Sequence, residues 1–97
     1  MTITSLSPSV FVGDDRPGFG DANSGGFWGA ELKFAGFDQI KLTGCSEKPA
    51  YLWINDGKVE LKDASHLWGK DVWETHAAIK SELGISKAKT ACIGPAG

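Results

Sequence analysis

The pattern with the clearest chemical use is the glycine-rich stretch over residues 18–26, which leads into a segment of helical periodicity. A glycine-rich turn at the start of a helix presents backbone N–H groups and the positive end of the helix dipole, and phosphate groups bind readily there. Asn23 and Ser24 add an amide and a hydroxyl group. These residues predict an anion or phosphate cradle. The alternative is a glycine connection that only lets the helix pack tightly.

The standard nucleotide-binding motifs do not describe this stretch. The dinucleotide pattern requires glycine at the position of Asn23, and the NTPase phosphate loop ends in Gly-Lys-Ser or Gly-Lys-Thr, which is absent here. The residues alone therefore indicate the class of ligand without naming it.

The other residues with reactive side chains are two histidines and two cysteines, His66, His76, Cys45 and Cys92. Neither histidine has neighbours at metal-ligand spacing, so we predict a loop residue with a backbone partner at 66 and a helix-face residue at 76. Neither cysteine belongs to a nucleophile signature, so both are predicted to be packing residues. Two cysteines also cannot hold an iron–sulfur cluster or a structural zinc ion.

The four tryptophans, Trp28, Trp53, Trp68 and Trp73, allow a third function class. Exposed indole rings could stack on sugars. Their spacing suits core or interface positions better, where large rings bury much area.

Composition excludes several classes of partner. The chain has 97 residues, 41% of them hydrophobic, and a formal net charge of -2. Nucleic acids and anionic membranes select basic faces, which this chain lacks. No stretch approaches the roughly 20 apolar residues of a membrane helix, and the first residues do not form a recognisable secretory signal. We therefore expect a cytoplasmic chain with no nucleic-acid or membrane partner.

Two helices are predicted. Apolar residues recur at helical spacing over residues 27–35, and Gly36 follows at a position that favours left-handed backbone. The second helix covers residues 72–83. Asp71 is its predicted N-cap, and Glu74 completes a capping box.

Strands are predicted between and after the helices, and an Asp-Gly turn at residues 56–57 indicates a hairpin. The strand segments are residues 10–12, 38–43, 50–54, 59–61 and 90–93. Helices and strands that do not alternate regularly predict an α+β fold with a partial antiparallel or mixed sheet and two short helices.

Long motifs in this chain resemble the aldehyde:ferredoxin oxidoreductase family. The resemblance covers residues 18–97 without a gap, so residues 1–17 are set apart as a non-matching amino-terminal segment. Its four strongest segments are residues 20–38 (Gly-Asp-Ala-Asn-Ser-Gly-Gly-Phe-Trp-Gly and onward), 47–54 (Glu-Lys-Pro-Ala-Tyr-Leu-Trp-Ile), 63–70 (Asp-Ala-Ser-His-Leu-Trp-Gly-Lys) and 92–97 (Cys-Ile-Gly-Pro-Ala-Gly).

The resemblance implies a tungsten, or sometimes molybdenum, atom held by two pterin dithiolenes beside a [4Fe-4S] cluster. Enzymes of this family oxidise aldehydes to carboxylic acids and pass the electrons to ferredoxin. Residues 18–97 would belong to the amino-terminal domain, in which the pterins lie on a pair of β-sheets.

The resemblance also implies roles for five residues. Ala22, Asn23, Ser24, Gly25 and Gly26 match the segment that contacts a pterin and its phosphate. The backbone carbonyl at Asn23 would bind a magnesium ion that bridges the two pterin phosphates. The phosphate cradle therefore becomes the preferred interpretation of this stretch.

Other parts of the family site have no counterpart in this chain. Residues 1–15 do not resemble the family segment with a pterin-contacting Gly-Gly-Arg motif, and Arg16 is not assigned to it. In the family, the second magnesium contact, the cluster cysteines and the acid/base groups lie beyond the segment that matches residues 18–97. We therefore expect a truncated or split product with no catalytic residue, which alone holds no cofactor and oxidises no aldehyde.

Such a chain needs a partner to cover the surface that the rest of the enzyme would bury. The expected partner is the remainder of the enzyme or a complementary subunit. Without such a partner we expect the chain to self-associate. Ferredoxin is the expected electron acceptor of the intact enzyme. Phe27, Trp28, Phe34 and Trp68 are the predicted exposed apolar residues. The alternative function is an inert structural or interaction module that keeps the fold without cofactor.

Overall fold

The computed structural model describes residues 1–7 and 18–96. Within them the chain forms two antiparallel two-stranded sheets and two α-helices, which confirms the predicted α+β class. The first sheet pairs β1 (Thr2–Ser7) with β2 (Gly18–Asn23), so that Thr2 faces Asn23. The predicted strand at residues 10–12 lies outside the described residues.

Strand β2 occupies most of the stretch that the glycine content predicts to be a loop. Glycine has a low strand propensity, but its partner β1 is rich in β-branched residues, Thr2, Ile3 and Thr4, which favour extended backbone. Pairing with β1 therefore decides the conformation of β2, and the loop begins only at Ser24.

Helix α1 (Trp28–Phe34) confirms the first predicted helix, with slightly narrower bounds. It ends in a Schellman motif: Gly36, at φ 99°, donates to the Lys33 carbonyl at 3.0 Å, and Phe37 donates to the Leu32 carbonyl at 3.1 Å. The left-handed backbone at Gly36 is the feature that stops the helix and turns the chain away.

The second sheet is the predicted hairpin of β3 (Ala50–Asn55) and β4 (Lys58–Asp63). Asp56 and Gly57 both have positive φ, 45° and 84°, as a type I′ turn requires. This turn matches the twist of the flanking strands, so the local sequence sets the register of the hairpin.

The strand predicted at residues 38–43 is wrong. Residues 37–49 all lie in the described part of the chain and contain no helix or strand. The alternating pattern is present, but an isolated strand is unstable unless a neighbour satisfies its backbone groups. Leu42 on this segment is 77% exposed, so its apolar face meets no core here.

Helix α2 (Val72–Leu83) agrees with its prediction at both ends. Asp71 accepts a hydrogen bond from the Glu74 N–H at 2.8 Å, the Glu74 carboxylate accepts one from the Asp71 N–H at 3.2 Å, and Gly84 ends the helix at φ 67°. The strand predicted at residues 90–93 is wrong: these residues form no ladder and lead into a 3₁₀ turn, Gly94–Ala96.

The core is small. Among the described residues only Ala64, Leu67 and Thr75 are buried, and the radius of gyration of 15.2 Å exceeds the ~13 Å of a compact domain of this size. Many large apolar side chains are therefore exposed, among them Phe19, Phe27, Phe34, Leu61, Trp68, Trp73 and Ile93.

The predicted exposure is confirmed for Phe27, Phe34 and Trp68, at 72, 78 and 76%. It is wrong for Trp28, which is half-buried because helix α1 turns it toward the β3 strand and the turn after α2. Over residues 1–7 and 18–96, no helix is long and apolar enough to cross a membrane.

Candidate functional site

The predicted cradle begins where strand β2 ends, and the first residues of the chain hold it in place. The Ser24 N–H donates to the Met1 carbonyl at 2.8 Å, and the Met1 amino group donates to the Ser24 carbonyl at 2.8 Å. The Thr2 hydroxyl donates to the Asn23 side-chain oxygen at 2.6 Å. Three hydrogen bonds therefore fix the point from which the loop departs.

The same pairing orients the backbone of Asn23. Hydrogen-bonded and non-hydrogen-bonded pairs alternate along an antiparallel ladder. Since Met1 and Ser24 exchange both bonds, Thr2 and Asn23 form a non-hydrogen-bonded pair. The Asn23 carbonyl therefore points away from β1, and backbone carbonyls are ligands that Mg²⁺ and Ca²⁺ accept.

Glycines 25 and 26 leave the backbone of the loop open. No atom lies within 4 Å of a Cβ built on either residue. Gly26 has φ +83° and needs glycine for conformational reasons, whereas Gly25 has no positive φ. Nothing in the described chain therefore requires glycine at 25, and an open backbone of this kind allows close approach by a ligand. The residues present thus fit a phosphate-bearing cofactor.

All five predicted site residues, Ala22 to Gly26, are exposed. Three of them, Ser24, Gly25 and Gly26, line a cleft of about 470 Å³. Ala22 and Asn23 belong to the adjoining end of β2 and do not line it. A second wall of the cleft consists of residues 89–93, which follow helix α2.

Sequence reasoning missed this second wall. The sequence predicts a buried strand at residues 90–93, yet Ala91, Cys92 and Ile93 are exposed beside the loop. The His76 side chain holds the segment against α2, with Nδ1 2.6 Å from the Thr90 hydroxyl oxygen. Thr90 at the start of the apolar run 91–93 is the available signal, because a half-buried hydroxyl needs a partner.

The predictions for the histidines and cysteines are confirmed only in part. His76 is a helix-face residue, as expected, but His66 pairs with the side chain of Glu82 at 2.9 Å and not with backbone. Cys45 and Cys92 are free and exposed, so the packing prediction is wrong for both. The small core explains this, because it offers no apolar interior near either thiol.

Metal ligands do not cluster in the part of the chain that the structure describes. It contains no group of three or more His, Cys, Asp or Glu side chains able to hold an ion. Any metal bound at the loop would therefore depend on backbone oxygens of this chain and on ligands from elsewhere.

The Tyr51 hydroxyl on β3 is shielded from solvent and lies near the Glu82 carboxylate, but no described residue meets it with hydrogen-bond geometry. Desolvation raises the pKa of Tyr51 above its ordinary value of 10.0, and the nearby Glu82 charge raises it further. The folded chain therefore retains this proton at a pH where the unfolded chain releases it. The free energy of unfolding should fall as the pH rises past 10.

We predict that Tyr51→Phe flattens this decline above about pH 10, because phenylalanine cannot ionise. Near neutral pH the change should alter the free energy of unfolding by less than about 1 kcal/mol, since the lost hydroxyl has no partner. Urea unfolding at a series of pH values measures both effects. Tyr51 is the single tyrosine, so its ultraviolet absorbance reports its pKa directly. A midpoint at or below 10 would contradict the prediction.

The comparisons with known proteins agree with this architecture. The family model described as "Aldehyde ferredoxin oxidoreductase, N-terminal domain" matches residues 1–97. It thus includes residues 1–17, which sequence analysis sets apart. The division of the chain at residue 17 stays a prediction.

Curated relatives match over part of the chain. The tungsten-containing aldehyde ferredoxin oxidoreductase of Thermococcus kodakarensis is 64% identical over 76 residues, which are 78% of this chain and 13% of the relative. The enzyme of the same name from Pyrococcus furiosus is 59% identical over the same shares. The "Aliphatic sulfonate oxidoreductase, WOR-like subunit" of Pyrococcus furiosus is 38% identical over 55 residues.

A solved structure shares the fold. A chain of the active-site complex BamBC of benzoyl-coenzyme A reductase, bound to 1,5-dienoyl-CoA, has a TM-score of 0.70 and 53% identity to this chain. The match covers 72% of this chain and 11% of that one. The chain spans about 13% of the length of the aldehyde oxidoreductases that it matches. Because the family model covers all 97 residues, the chain belongs to the aldehyde ferredoxin oxidoreductase amino-terminal domain family.

Proposed function

We propose that this chain forms part of the tungsten bis-pterin site of an aldehyde ferredoxin oxidoreductase. Residues 22–26 would contact a pterin and its phosphate. One observation carries the proposal: Gly25 is a glycine that neither the backbone conformation nor the packing of the described chain requires. Gly25 is exposed and lines a cleft, where an anion can approach the backbone closely.

Asn23 is the proposed magnesium ligand. Its carbonyl points away from strand β1, because the Thr2–Asn23 pair makes no backbone hydrogen bonds. Its side chain is already engaged by the Thr2 hydroxyl, so the backbone oxygen is the group left to act. The Asn23 carbonyl would hold a magnesium ion, whose positive charge would offset the negative charge of the pterin phosphates.

The role of this chain is to bind and orient, and none of its residues is assigned a catalytic role. When bound, the tungsten or molybdenum bis-pterin supplies the redox chemistry. A [4Fe-4S] cluster takes four protein ligands, usually cysteines, and the chain has two cysteines. We propose that the cluster ligands come from the remainder of the enzyme or from a complementary subunit.

For the enzyme as a whole, the proposed reaction converts an aldehyde and water to a carboxylic acid, two protons and two electrons, with ferredoxin as electron acceptor. The relatives that bear the aldehyde name are 64 and 59% identical, against 38% for the sulfonate oxidoreductase subunit. These identities favour aldehyde oxidation over the other named reaction.

The proposed location is the cytoplasm.

The alternative is an inert structural or interaction module that keeps the fold and binds no cofactor. The small core and the exposed aromatic residues Phe27, Phe34 and Trp68 favour a surface that a partner covers. Such a surface serves either function, so cofactor content decides between them.

The deciding experiment is analysis of the protein purified from its native host, together with any subunit that co-purifies. We expect tungsten or molybdenum, magnesium, and a pterin that is released on denaturation. Absence of both heavy metals and of pterin from the chain and from its complexes would overturn the cofactor function and support the inert module.

A further inference from the structure

We propose that Lys89, which lines the same cleft as the glycine loop, binds the phosphate group of the pterin cofactor, an inference that rests on the proposed function. The juxtaposition is between the open backbone of Gly25 and Gly26 and the Lys89 side chain, which line the same cleft. Backbone N–H groups and an ammonium group that face the same space form a site for a phosphate dianion.

The position of the ammonium group is set by an aromatic ring. The Lys89 Nζ lies 5.4 Å from the centroid of the Phe27 ring, within the range of a cation–π contact. Phe27 directly follows Gly26, so this contact places the cation next to the loop. A cation held over a ring is held more weakly than one hydrogen-bonded to phosphate, so the ligand can draw Lys89 onto itself.

The electrostatics of the cleft favour an anion. Among the described residues that line it, Lys89 is the one charged side chain and no Asp or Glu is present. Lys89 also borders a second cleft, whose lining includes Glu31 and Asp56. Within residues 1–7 and 18–96, the ion pairs are Lys33–Asp38, Lys62–Glu60 and His66–Glu82, and none of them engages Lys89. The charge of Lys89 is therefore not neutralised by a described carboxylate.

The segment that carries Lys89 is held against helix α2. The next residue, Thr90, shares a hydrogen bond with His76 on helix α2 at 2.6 Å, and this contact is partly buried. The backbone at 89 is thus tied to the longest helix in the described chain. A phosphate in the cleft would meet a side chain whose attachment point does not move freely.

The test measures the affinity of the full chain for neopterin monophosphate, with inorganic phosphate as a second probe. Lys89→Met removes the charge and keeps most of the aliphatic stem. The matched control is Lys87→Met, which removes the same charge two residues away, at a residue that lines a neighbouring cleft and not the cleft of the glycine loop. Lys89→Arg retains the charge. Circular dichroism of each variant shows whether the fold is kept.

We expect Lys89→Met to weaken binding of neopterin monophosphate by about tenfold, the scale of one charge-assisted contact. Lys87→Met should weaken it less than about twofold, and Lys89→Arg should retain most of the affinity. Tighter binding of neopterin monophosphate than of inorganic phosphate identifies the pterin phosphate as the ligand. Equal affinity for the two probes would overturn the pterin assignment and leave a general phosphate site.

Two outcomes would overturn the role of Lys89. Equal effects of Lys87→Met and Lys89→Met would reduce Lys89 to a contribution of net charge, while the proposed cofactor function would stand. Failure of the unaltered chain to bind either probe would remove the anion site itself. The metal and pterin content of the native protein is a separate measurement, so the failure of this inference and the failure of the proposed function are distinguishable.

Discussion

Replacing Gly25 with valine is expected to lower the pterin and tungsten or molybdenum content of the native protein by about tenfold or more, while its free energy of unfolding changes by less than about 1 kcal/mol. The two effects separate because Gly25 has no positive φ and a Cβ at this position meets no atom within 4 Å. The branched side chain would occupy the space through which a phosphate approaches the loop.

Gly26 supplies the matched control. Its φ of +83° strains any residue with a Cβ, so Gly26→Ala should lower the free energy of unfolding by about 1 kcal/mol. Alanine is small, so Gly26→Ala should affect cofactor content less than Gly25→Val does. Elemental analysis, pterin fluorescence after denaturation and urea unfolding provide the three readouts.

The contrary result is also well defined. If Gly25→Val protein retains full metal and pterin content, the loop backbone does not contact the cofactor, and the assignment of residues 22–26 fails. If Gly25→Val instead unfolds the chain, glycine at 25 has a structural role that the described contacts do not show.

The predicted elements that the structure contains are those with complete local signals. The Asp56-Gly57 turn, the Asp71 capping box and the Gly36 and Gly84 stops each act within a few residues. Such signals depend on backbone conformation and on nearby side chains, so sequence alone is enough to find them.

The failures among the predicted helices and strands all concern strand pairing. Residues 38–43 and 90–93 have strand-like patterns but no partner, whereas β2 is a strand because β1 lies beside it. A strand is stabilised by a neighbour that is distant in sequence, and a single sequence does not show which segments meet.

The candidate site also has one part that the sequence predicts and one part that it does not. The glycine loop is recognisable because its residues are contiguous, and the resemblance supplies its ligand. Lys89 faces the loop only because helix α2 and the hydrogen bond between His76 and Thr90 bring the end of the chain back to it. Nothing in the spacing between residues 26 and 89 reveals this contact. The position of Lys89 beside the loop therefore could not be predicted from the sequence.

We expect the isolated chain to self-associate through its exposed aromatic side chains. Trp68 is 76% exposed, Phe27 is 72% exposed and Phe34 is 78% exposed, on a chain with three buried residues among those described. Soluble monomers rarely expose large contiguous apolar patches, and a small domain has little stability margin. Sedimentation velocity over a concentration series measures the association.

Trp68→Gln tests the part played by one residue of this surface. Tryptophans at the centre of an interface often contribute about 2 kcal/mol or more, so the dissociation constant should rise by about tenfold or more. The control is Trp53→Gln, since Trp53 is half-buried on strand β3. That change should lower the free energy of unfolding and leave the dissociation constant of the folded chain nearly unchanged.

A monomer at every concentration, with a cooperative melt and no binding of an apolar dye, would contradict this prediction. Equal dissociation constants for Trp68→Gln and the unaltered chain would place the contact on another part of the surface. Trp73, at 82% exposure, is then the next residue to replace, because it lies at the start of helix α2 and close in sequence to Trp68. A complementary subunit that covers this surface in the native complex would compete with a second copy of the chain for the same aromatic side chains. Adding that subunit should therefore convert the self-associated chain to the complex.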